Sequence, residues 1–498
     1  MTKRAFLLIA AIVLLASGAR AITAQEAVNR FAFDPSMKHA SLTVMFMDID
    51  SGNVIAAHNP DLSVGTASTM KTVTSTTALE VLGGDFRFET KVYAYGQVLN
   101  DTLRGNLLIV GSGDPTLGTR YMRGIASMPD EIVSACQQLG IKAIDGRVLT
   151  DTSLYPTIPY SSWWDAGDLA QDYGAGVHSI NYKDNYVKLN FNIDRKGTVK
   201  DARLIPEVPG VTIVDKTRPG VRNFLESMLE YGTQAIAILG TTATGKGKTR
   251  HSWDVVIPNP EALLVADVEK ALADAGIVIN HNEKALGNKD KTVVEIVNHK
   301  SPVLTDIIES LLDRSDNMYT HALLRAVGVR SQDFINRGGE VSNAGVNVVR
   351  EVFKKWGDDC EALFMKDGSG LARVDKGSGR MFCNMLRYMA YRYYNGKRLT
   401  DLMSRAGNRV GKILPTTELS KTISLKSGSM SDVQCFVGYY PADAPKVAWC
   451  ILANNYSCSR STLRDNMDRM LIDVLTPQPE PTPAEPDPAV QVIDTTKE

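Results

Sequence analysis

The sequence predicts an α+β fold, in which an antiparallel sheet flanked by helices is built from both ends of the chain and a long strand-rich segment is inserted between them. Leu42–His58 has the pattern of two apolar strands around the turn Ser51-Gly52-Asn53. Three more strand-like segments, residues 422–430, 435–440 and 446–454, follow one another near the other end. Two terminal sets of strands with accompanying helices favour pairing into one sheet and therefore one domain.

Helical periodicity predicts the elements that flank this sheet. One helix opens at about Ser68 and ends at Gly83-Gly84, and an amphipathic helix covers residues 461–475. Apolar residues keep helical spacing over residues 303–314 and again over 318–326. The break between these last two helices falls on Ser315-Asp316-Asn317.

The middle of the chain, residues 86–292, is rich in short strands and glycine turns, which indicates an insertion rather than a continuation of the sheet. Its one clear helix is predicted from Pro260 to Ala275. Asn259 suits the N-cap of that helix, Pro260 its first position and Gly276 its end.

The chain begins with Lys3 and Arg4, an apolar run and small residues up to Ala21, which is the layout of a secretory signal peptide over residues 1–21. The run is shorter than the roughly 20 apolar residues of a membrane-spanning helix. We therefore expect an exported protein, periplasmic or otherwise extracytoplasmic, soluble after cleavage and without a transmembrane anchor. Residues 476–498 alternate proline with polar residues and predict a disordered tail.

Composition excludes some classes of function. The formal net charge of −1 gives no electrostatic footprint for nucleic acid. The seven histidines and six cysteines show no metal-ligand spacing, so no metal and no cofactor are predicted. A disulfide between Cys450 and Cys458 and buried free thiols both remain open.

Three short motifs occur in a fixed order: Ser68-Thr69-Met70-Lys71, Ser315-Asp316-Asn317 and Lys426-Ser427-Gly428. Residues three apart share a helix face, so Lys71 can place its amine beside the Ser68 hydroxyl as a base beside a nucleophile. For that role the pKa of Lys71 must fall well below about 10.4, and burial or a second cation such as Lys426 would lower it.

Each motif alone has a structural interpretation, as a helix start, a helix break or a strand end, and the chemical prediction depends on the ordered set. A serine–histidine–acid triad using His321 is the alternative route to an activated serine. His321 follows Ser315 by six residues on a predicted helix, and the sequence has no Gly-x-Ser-x-Gly elbow. We interpret His321 as structural.

The ordered set resembles the active-site-serine penicillin-recognising enzymes. The interval from Lys71 to Ser315 is much longer than in compact β-lactamases. Together with the runs at residues 111–117, 151–153 and 367–371, it is similar to the low-molecular-mass class C penicillin-binding proteins, which are D-alanyl-D-alanine carboxypeptidases and endopeptidases. The likeness covers residues 43–475.

The resemblance implies a penicillin-binding-protein/β-lactamase-like transpeptidase domain formed by residues 26–85 and 293–475. Between the first and second motifs it implies a nested insertion of two further domains. The first would comprise residues 86–163 and 250–292, and the second residues 164–249.

The resemblance also implies catalytic roles. Ser68 would attack the carbonyl of the penultimate D-alanine while Lys71 takes its proton. Ser315 would relay a proton to the leaving amine, and Asn317 would bond the substrate amide.

The same resemblance implies a set of substrate-binding residues. Lys426 and Ser427 would hold the terminal carboxylate, and the backbone N–H groups of Ser68 and Ser429 would form the oxyanion hole. Ser427 stands where the family usually has threonine, but the hydroxyl is kept.

Arg373 and Asp151 match places where relatives grip the side chain of the third peptide residue. The structural alternatives are a turn cap for Asp151 and an exposed loop charge for Arg373.

The implied partners are peptidoglycan stem peptides as substrates and β-lactam antibiotics as acylating inhibitors. A β-lactamase or esterase on the same scaffold, and a non-catalytic wall-binding protein, are the alternatives. The sequence leaves open whether the chain forms a homodimer and whether terminal or cross-bridge bonds are cut.

Overall fold

The computed structural model describes residues 22–155, 158–230, 232–245, 247–282, 292–358, 360–407 and 413–476. The predicted signal peptide (1–21) lies outside these residues, as does the predicted tail beyond Thr476. None of the helices in these ranges combines the length and the apolar character needed to cross a bilayer.

Twelve α-helices are described: α1 (Ala24–Ala32), α2 (Met70–Leu82), α3 (Met128–Gln138), α4 (Pro260–Asp274), α5 (Leu304–Arg314), α6 (Asn317–Gly328), α7 (Gln332–Arg337), α8 (Val341–Lys355), α9 (Gly379–Met389), α10 (Leu399–Leu402), α11 (Leu419–Thr422) and α12 (Arg460–Leu475). The described strands are β1 (Ser41–Asp48), β2 (Val54–His58), β3 (Val64–Gly65), β4 (Glu89–Leu99), β5 (Thr102–Val110), β6 (Ala143–Ile144), β7 (Val148–Asp151), β8 (Tyr186–Ile193), β9 (Val199–Ile205), β10 (Thr212–Asp215), β11 (Arg218–Gly220), β12 (Phe224–Leu229), β13 (Ala235–Ala243), β14 (Thr249–Val256), β15 (Val278–Ile279), β16 (Val293–Lys300), β17 (Lys376–Gly377), β18 (Ser404–Arg405), β19 (Ser424–Met430), β20 (Val433–Tyr440) and β21 (Val447–Asn454).

One antiparallel sheet joins the two ends of the chain, in the order β18-β19-β20-β21-β1-β2. Its buried residues alternate between two faces, as the period of two in a strand requires. Phe46 and Trp449 face a core shared with α1 and α12, whereas Met45 and Cys450 face a core shared with α9. The predicted sheet from both chain ends, flanked by helices, is confirmed.

Helix α2 lies at the centre of the helical layer. All its residues from Met70 to Leu79 are buried, and α5, α6 and α8 pack against it. A helix buried on every face occupies the middle of a core rather than its surface. The lysine of the first motif is therefore carried on one of the most enclosed helices of the molecule.

The inserted segment forms three further sheets. The largest has the order β15-β6-β5-β4-β16, with β7 beside β5, and α3 and α4 cover it. The others are β14-β8-β9 and a four-stranded sheet in which β13 pairs with β10, β11 and β12.

Two strands lie across the expected domain boundaries. β16 pairs with β4 of the inserted sheet, so residues 293–300 are hydrogen-bonded to the insertion rather than to the sheet of the chain ends. β14 pairs with β8, which groups residues 249–256 with the predicted second inserted domain.

The structure decides two local points that the sequence raised, the pairing of Cys450 with Cys458 and the N-cap of α4. All six cysteines are free, so Cys450 and Cys458 do not pair. Asn259 occupies the N-cap position of α4, but its side chain makes no capping bond and donates to the carbonyl of Pro209 instead.

Gly345 allows α8 to approach α6 closely. A Cβ added there would lie 2.4 Å from the Leu324 carbonyl oxygen, which is backbone and cannot rotate away. We expect Gly345→Ala to lower the free energy of unfolding by about 1–3 kcal/mol because the two helices must separate. Chemical denaturation measures this change.

Gly167→Ala is the matched control, because nothing lies within 4 Å of the added Cβ at that position. Its unfolding free energy should stay within about 0.5 kcal/mol of the parent value. A Gly345→Ala variant as stable as the parent would contradict the close helix contact.

Candidate active site

Ser68 lies in a short 3-10 turn, Ala67–Thr69, directly before α2. Ala67 has a φ of 44°, in the left-handed region that non-glycine residues rarely adopt. Gly370 packs against this residue so tightly that an added Cβ would lie 1.9 Å from the Ala67 carbonyl oxygen. The serine is thus presented on a constrained turn held by a distant loop.

Lys71 follows Ser68 by three residues, lies in the first turn of α2 and is completely buried. Its Nζ lies 3.0 Å from the Ser68 Oγ, 2.5 Å from the Asn317 Oδ1 and 2.8 Å from the Ser369 carbonyl oxygen. Three acceptors therefore surround one amine, and one of them is the hydroxyl that it is predicted to activate.

Burial lowers the pKa of Lys71 to about 8, because a charged amine loses its hydration there. The carboxylates of Asp367, Asp316 and Asp375 oppose this shift. A substantial fraction of the amine is consequently neutral near physiological pH, as a general base requires.

The second motif forms the predicted break between helices. Ser315 ends α5 with a φ of 59°, and the Asp316 Oδ1 accepts a hydrogen bond from the Tyr319 N–H at 2.9 Å to cap α6. Asn317 is the first residue of α6, and its Nδ2 donates to the Tyr173 carbonyl at 2.8 Å. That contact leaves the side-chain oxygen Oδ1 of Asn317 facing Lys71.

Residues of the inserted segment also contact the side chains that flank the second motif. The Arg314 Nη2 donates to the Asp316 Oδ2 at 2.6 Å, and the Arg314 guanidinium lies 3.5 Å from the centre of the Tyr121 ring. The Tyr319 hydroxyl donates to the Thr119 Oγ1 at 2.7 Å. Both Thr119 and Tyr121 belong to the insertion.

The third motif lies on β19, next to Ser68. Lys426 is 1% exposed, and its Nζ donates to the Ser315 Oγ at 2.9 Å and to the Ser427 carbonyl at 2.5 Å. Burial, and then the nearby Lys71 cation, hold the pKa of Lys426 well below its usual range, while Asp313 opposes them. The structure thus brings Ser68, Lys71, Ser315, Asn317 and Lys426 into one cluster.

Gly428 lets β19 run directly against the nucleophile turn. A Cβ at this position would lie 2.6 Å from the Thr66 carbonyl oxygen and 3.0 Å from the Ser68 nitrogen. In the described part of the chain β18 pairs only with Ser424 and Leu425. The rest of β19, including half-buried Ser427 and exposed Ser429, lies beyond the residues that pair with β18 and near the Ser68 amide.

Arg373 and Asp151 have separate contacts. The Arg373 Nε donates to the Asp165 Oδ2 at 2.9 Å, and both side chains are exposed. The Asp151 Oδ1 accepts from the Ser153 N–H at 2.9 Å, at the end of β7. The contacts of Asp151 agree with the turn-cap interpretation, and its role toward a substrate stays a prediction.

His321 is buried under Trp164, with ring centres 5.4 Å apart. Its Nδ1 accepts from the Gly368 N–H at 3.4 Å, and its Nε2 lies 3.3 Å from the Ser342 Oγ. Burial lowers its pKa to about 4. These contacts agree with the structural interpretation of His321.

Sequence reasoning missed two main-chain acceptors in the cluster. The Ser369 carbonyl belongs to the run Asp367–Leu371, which the sequence singled out without a role. The Tyr173 carbonyl comes from the insertion and has no recognisable sequence signal, since any residue could supply it.

The arrangement combines a nucleophile, a buried base and a second buried lysine with the strand β19, which runs beside the nucleophile turn. Such a set can form an acyl-enzyme with a substrate that carries a carboxylate near its scissile bond. No group of histidine, cysteine and acidic residues in the described ranges is arranged to hold a metal ion.

Curated relatives carry names consistent with this chemistry. The chain is 25% identical over 424 residues to the D-alanyl-D-alanine carboxypeptidase DacB of Haemophilus influenzae, covering 82% of this chain and 84% of the relative. It is 24% identical over 461 residues to a D-alanyl-D-alanine carboxypeptidase of an Actinomadura species, covering 89% of this chain and 83% of the relative.

The fold matches that of a solved protein. Penicillin binding protein 4 (dacB) from Haemophilus influenzae superposes with a TM-score of 0.73 at 23% identity, covering 88% of this chain and 96% of the other. The predicted fold class is therefore confirmed. The model of the D-Ala-D-Ala carboxypeptidase 3 (S13) family matches residues 24–474, and this chain belongs to that family.

Proposed function

We propose that the protein is a serine-type D-alanyl-D-alanine carboxypeptidase and endopeptidase that acts on peptidoglycan stem peptides through an acyl-enzyme on Ser68. The observation that carries the proposal is the buried Lys71 Nζ, 3.0 Å from the Ser68 Oγ. A solvated lysine would be charged and could not accept the hydroxyl proton.

In the acylation step, the Ser68 hydroxyl gives its proton to the Lys71 amine while its oxygen bonds to the carbonyl carbon of the penultimate D-alanine. The carbonyl oxygen becomes an oxyanion, which the N–H groups of Ser68 and Ser429 stabilise. The C–N bond then breaks, and the leaving amine takes the proton that Lys71 accepted, relayed through the Ser315 hydroxyl, which accepts a hydrogen bond from Lys426.

Lys426 and Ser427 bind the terminal carboxylate of the substrate. An incoming carboxylate stabilises the ammonium form of Lys426 against the burial that holds its pKa low. In deacylation Lys71, neutral again, takes a proton from the water that attacks the ester carbonyl. It passes this proton to the Ser68 oxygen as the ester C–O bond breaks.

Arg373 is proposed to contact the side chain of the third stem-peptide residue. Its guanidinium is exposed at the loop that follows Leu371, and its present partner Asp165 is equally exposed. Exposed ion pairs contribute little free energy, so a substrate carboxylate can displace Asp165.

We propose that the catalytic domain comprises residues 26–85 and 301–475, with the two inserted domains between them. The pairing of β16 with β4 supports placing residues 293–300 with the insertion. Export to an extracytoplasmic site is proposed from the leader-like residues 1–21.

Ser68→Ala should abolish covalent labelling of the protein by a fluorescent penicillin, because the acyl acceptor is removed. Gel fluorescence measures the label, and release of D-alanine from a pentapeptide measures the reaction itself. Ser75→Ala is the matched control: Ser75 is buried on the same helix, and its Oγ has no hydrogen-bond partner among the residues that the structure describes. Its labelling should equal that of the parent protein.

Three outcomes separate the alternatives. Rapid turnover of penicillin without stable label would favour a β-lactamase. Binding of peptidoglycan without D-alanine release or label would favour a non-catalytic wall-binding protein. Stable label with D-alanine release supports the proposal.

The rate of acylation should rise with pH, about tenfold per unit on the acidic side, and level off above the pKa of Lys71 at about 8. The neutral amine is the reactive form, and its fraction falls as pH drops below that pKa. Stopped-time labelling between pH 5.5 and about 9.5 gives the profile. A flat profile would exclude Lys71 as the base, and Lys71→Arg should not be labelled because arginine stays protonated.

Lys426→Ala should lower kcat/KM for a peptide with a free terminal carboxylate by about 10–100-fold, the value of one charge-assisted hydrogen bond. With an amidated C-terminus the loss should be smaller, because only the Lys426 hydrogen bond to Ser315 is then removed. Lys421→Ala is the control, since that lysine is exposed and pairs only with Glu418 among the described ion pairs. An equal loss on both peptides would contradict carboxylate recognition by Lys426.

A further inference from the structure

Residues 158–177 of the insertion, termed the strap, are fastened at both ends to the helix that carries Asn317. The Arg325 Nη2 donates to the Ile158 carbonyl at 2.5 Å, and its Nη1 donates to the Val177 carbonyl at 2.7 Å. Arg325 is completely buried on α6. The strap therefore cannot move away from the catalytic domain without exposing or stranding a buried charge.

Within the strap, the Trp164 side chain makes a buried hydrogen bond to Asp367. Trp164 is 6% exposed, and its Nε1 donates to the Asp367 Oδ2 at 2.9 Å. Its neighbour Trp163 is 51% exposed, beside the Lys366 amine. The two adjacent tryptophans thus differ in burial and in partner.

Asp367 is buried and accepts several hydrogen bonds from the loop that contacts Lys71. Its Oδ1 accepts from the Ser369 N–H at 2.5 Å, the Ser369 Oγ at 2.6 Å and the Gly370 N–H at 3.0 Å. Its Oδ2 accepts from the Ala372 N–H at 2.6 Å and from Trp164. These bonds fix the turn whose Ser369 carbonyl lies 2.8 Å from the Lys71 Nζ.

The charge of Asp367 and the hydrogen bonds that it accepts both favour the ammonium form of Lys71. Burial opposes ionisation of Asp367, but the nearby His321 and the hydrogen bonds from Ser369, Ala372 and Trp164 hold the pKa of Asp367 below its usual value. Its negative charge is the largest influence that raises the pKa of Lys71 against burial. The other charged groups near Lys71 are Asp316, Asp375 and Lys426.

We propose that Trp164 and Asp367 are positioning residues for the reaction: Trp164 orients the Asp367 carboxylate, which sets the Ser369 carbonyl and through it the placement and protonation of Lys71. This inference rests on the proposed function, because Lys71 must act as the base. It makes the insertion a part of the catalytic machinery as well as a separate unit of structure.

Trp164→Phe tests the proposal in the mature full-length protein. It keeps an aromatic ring near His321 and removes the N–H donor together with part of the indole volume. The maximal acylation rate at high pH should fall about tenfold because the amine is no longer held against Ser68. The midpoint of the pH profile should also move to lower pH, because the ammonium form of Lys71 loses the Ser369 carbonyl as a hydrogen-bond acceptor when the loop shifts.

Trp163→Phe is the matched control and should keep both the maximal rate and the midpoint of the parent. A Trp164→Phe protein with parental rate and midpoint overturns the proposal. So does a protein with a lower melting temperature and lower rate but an unchanged midpoint, since that result describes a structural role alone.

Ser369→Ala provides a second test if Trp164→Phe does not fold. It removes the 2.6 Å bond to Asp367 and keeps the carbonyl that faces Lys71. A smaller change of the same two quantities is expected, and no change overturns the proposal. If the parent protein itself is never acylated, the proposed function fails; if it is acylated and both variants match it, only this inference fails.

Discussion

The burial of one amine against one hydroxyl is the constraint on which the rest of the site depends. Lys71 has no exposed surface, and its Nζ contacts Ser68, Asn317 and Ser369. A lysine loses hydration when buried, so its neutral form gains relative to its charged form. The three acceptors and the surrounding carboxylates limit that gain, which leaves an amine able to take and return a proton near neutral pH.

Each acceptor reaches Lys71 from a different part of the chain. Ser68 belongs to the turn before α2, Asn317 starts α6, and Ser369 lies in a loop held by Asp367. The insertion contributes to two of these placements, through the Tyr173 carbonyl on Asn317 and the Trp164 indole on Asp367. The amine is thus fixed by tertiary packing, and its local helix supplies only the starting direction.

This division explains what the sequence could predict. The Ser68–Lys71 contact follows from helical spacing, and the helix break at Ser315 follows from the interruption of helical periodicity. The place of Lys426 beside Ser315 required the two chain ends to share a sheet, which strand patterns indicated. These parts of the site rest on local signals joined by one topological inference.

The remaining contacts had no local signal. The Ser369 carbonyl belongs to the main chain, which every residue type supplies, so the sequence does not single it out. The strands β4 and β16 are about two hundred residues apart, and the hydrophobic periodicity of each does not indicate that they pair. Arg373 was expected near Asp151 at one subsite, yet its contact is Asp165, since both residues project from loops whose approach only the fold determines.

The two buried lysines differ in the number of carboxylates near them, and this difference affects the lifetime of the proposed acyl-enzyme. Three carboxylates oppose the loss of charge on Lys71, whereas Asp313 alone among the described residues does so for Lys426. Under the proposed carboxylate recognition, the substrate carboxylate departs with the D-alanine in peptide cleavage, so Lys426 would lose its partner and the acyl-enzyme would lose that contact. In a penicillin the carboxylate stays covalently attached to the acyl group after the ring opens. The proposed ion pair with Lys426 would then persist, and the tethered amine would block the space that water must enter. On this proposal the same lysine would favour turnover of the peptide and retention of the antibiotic.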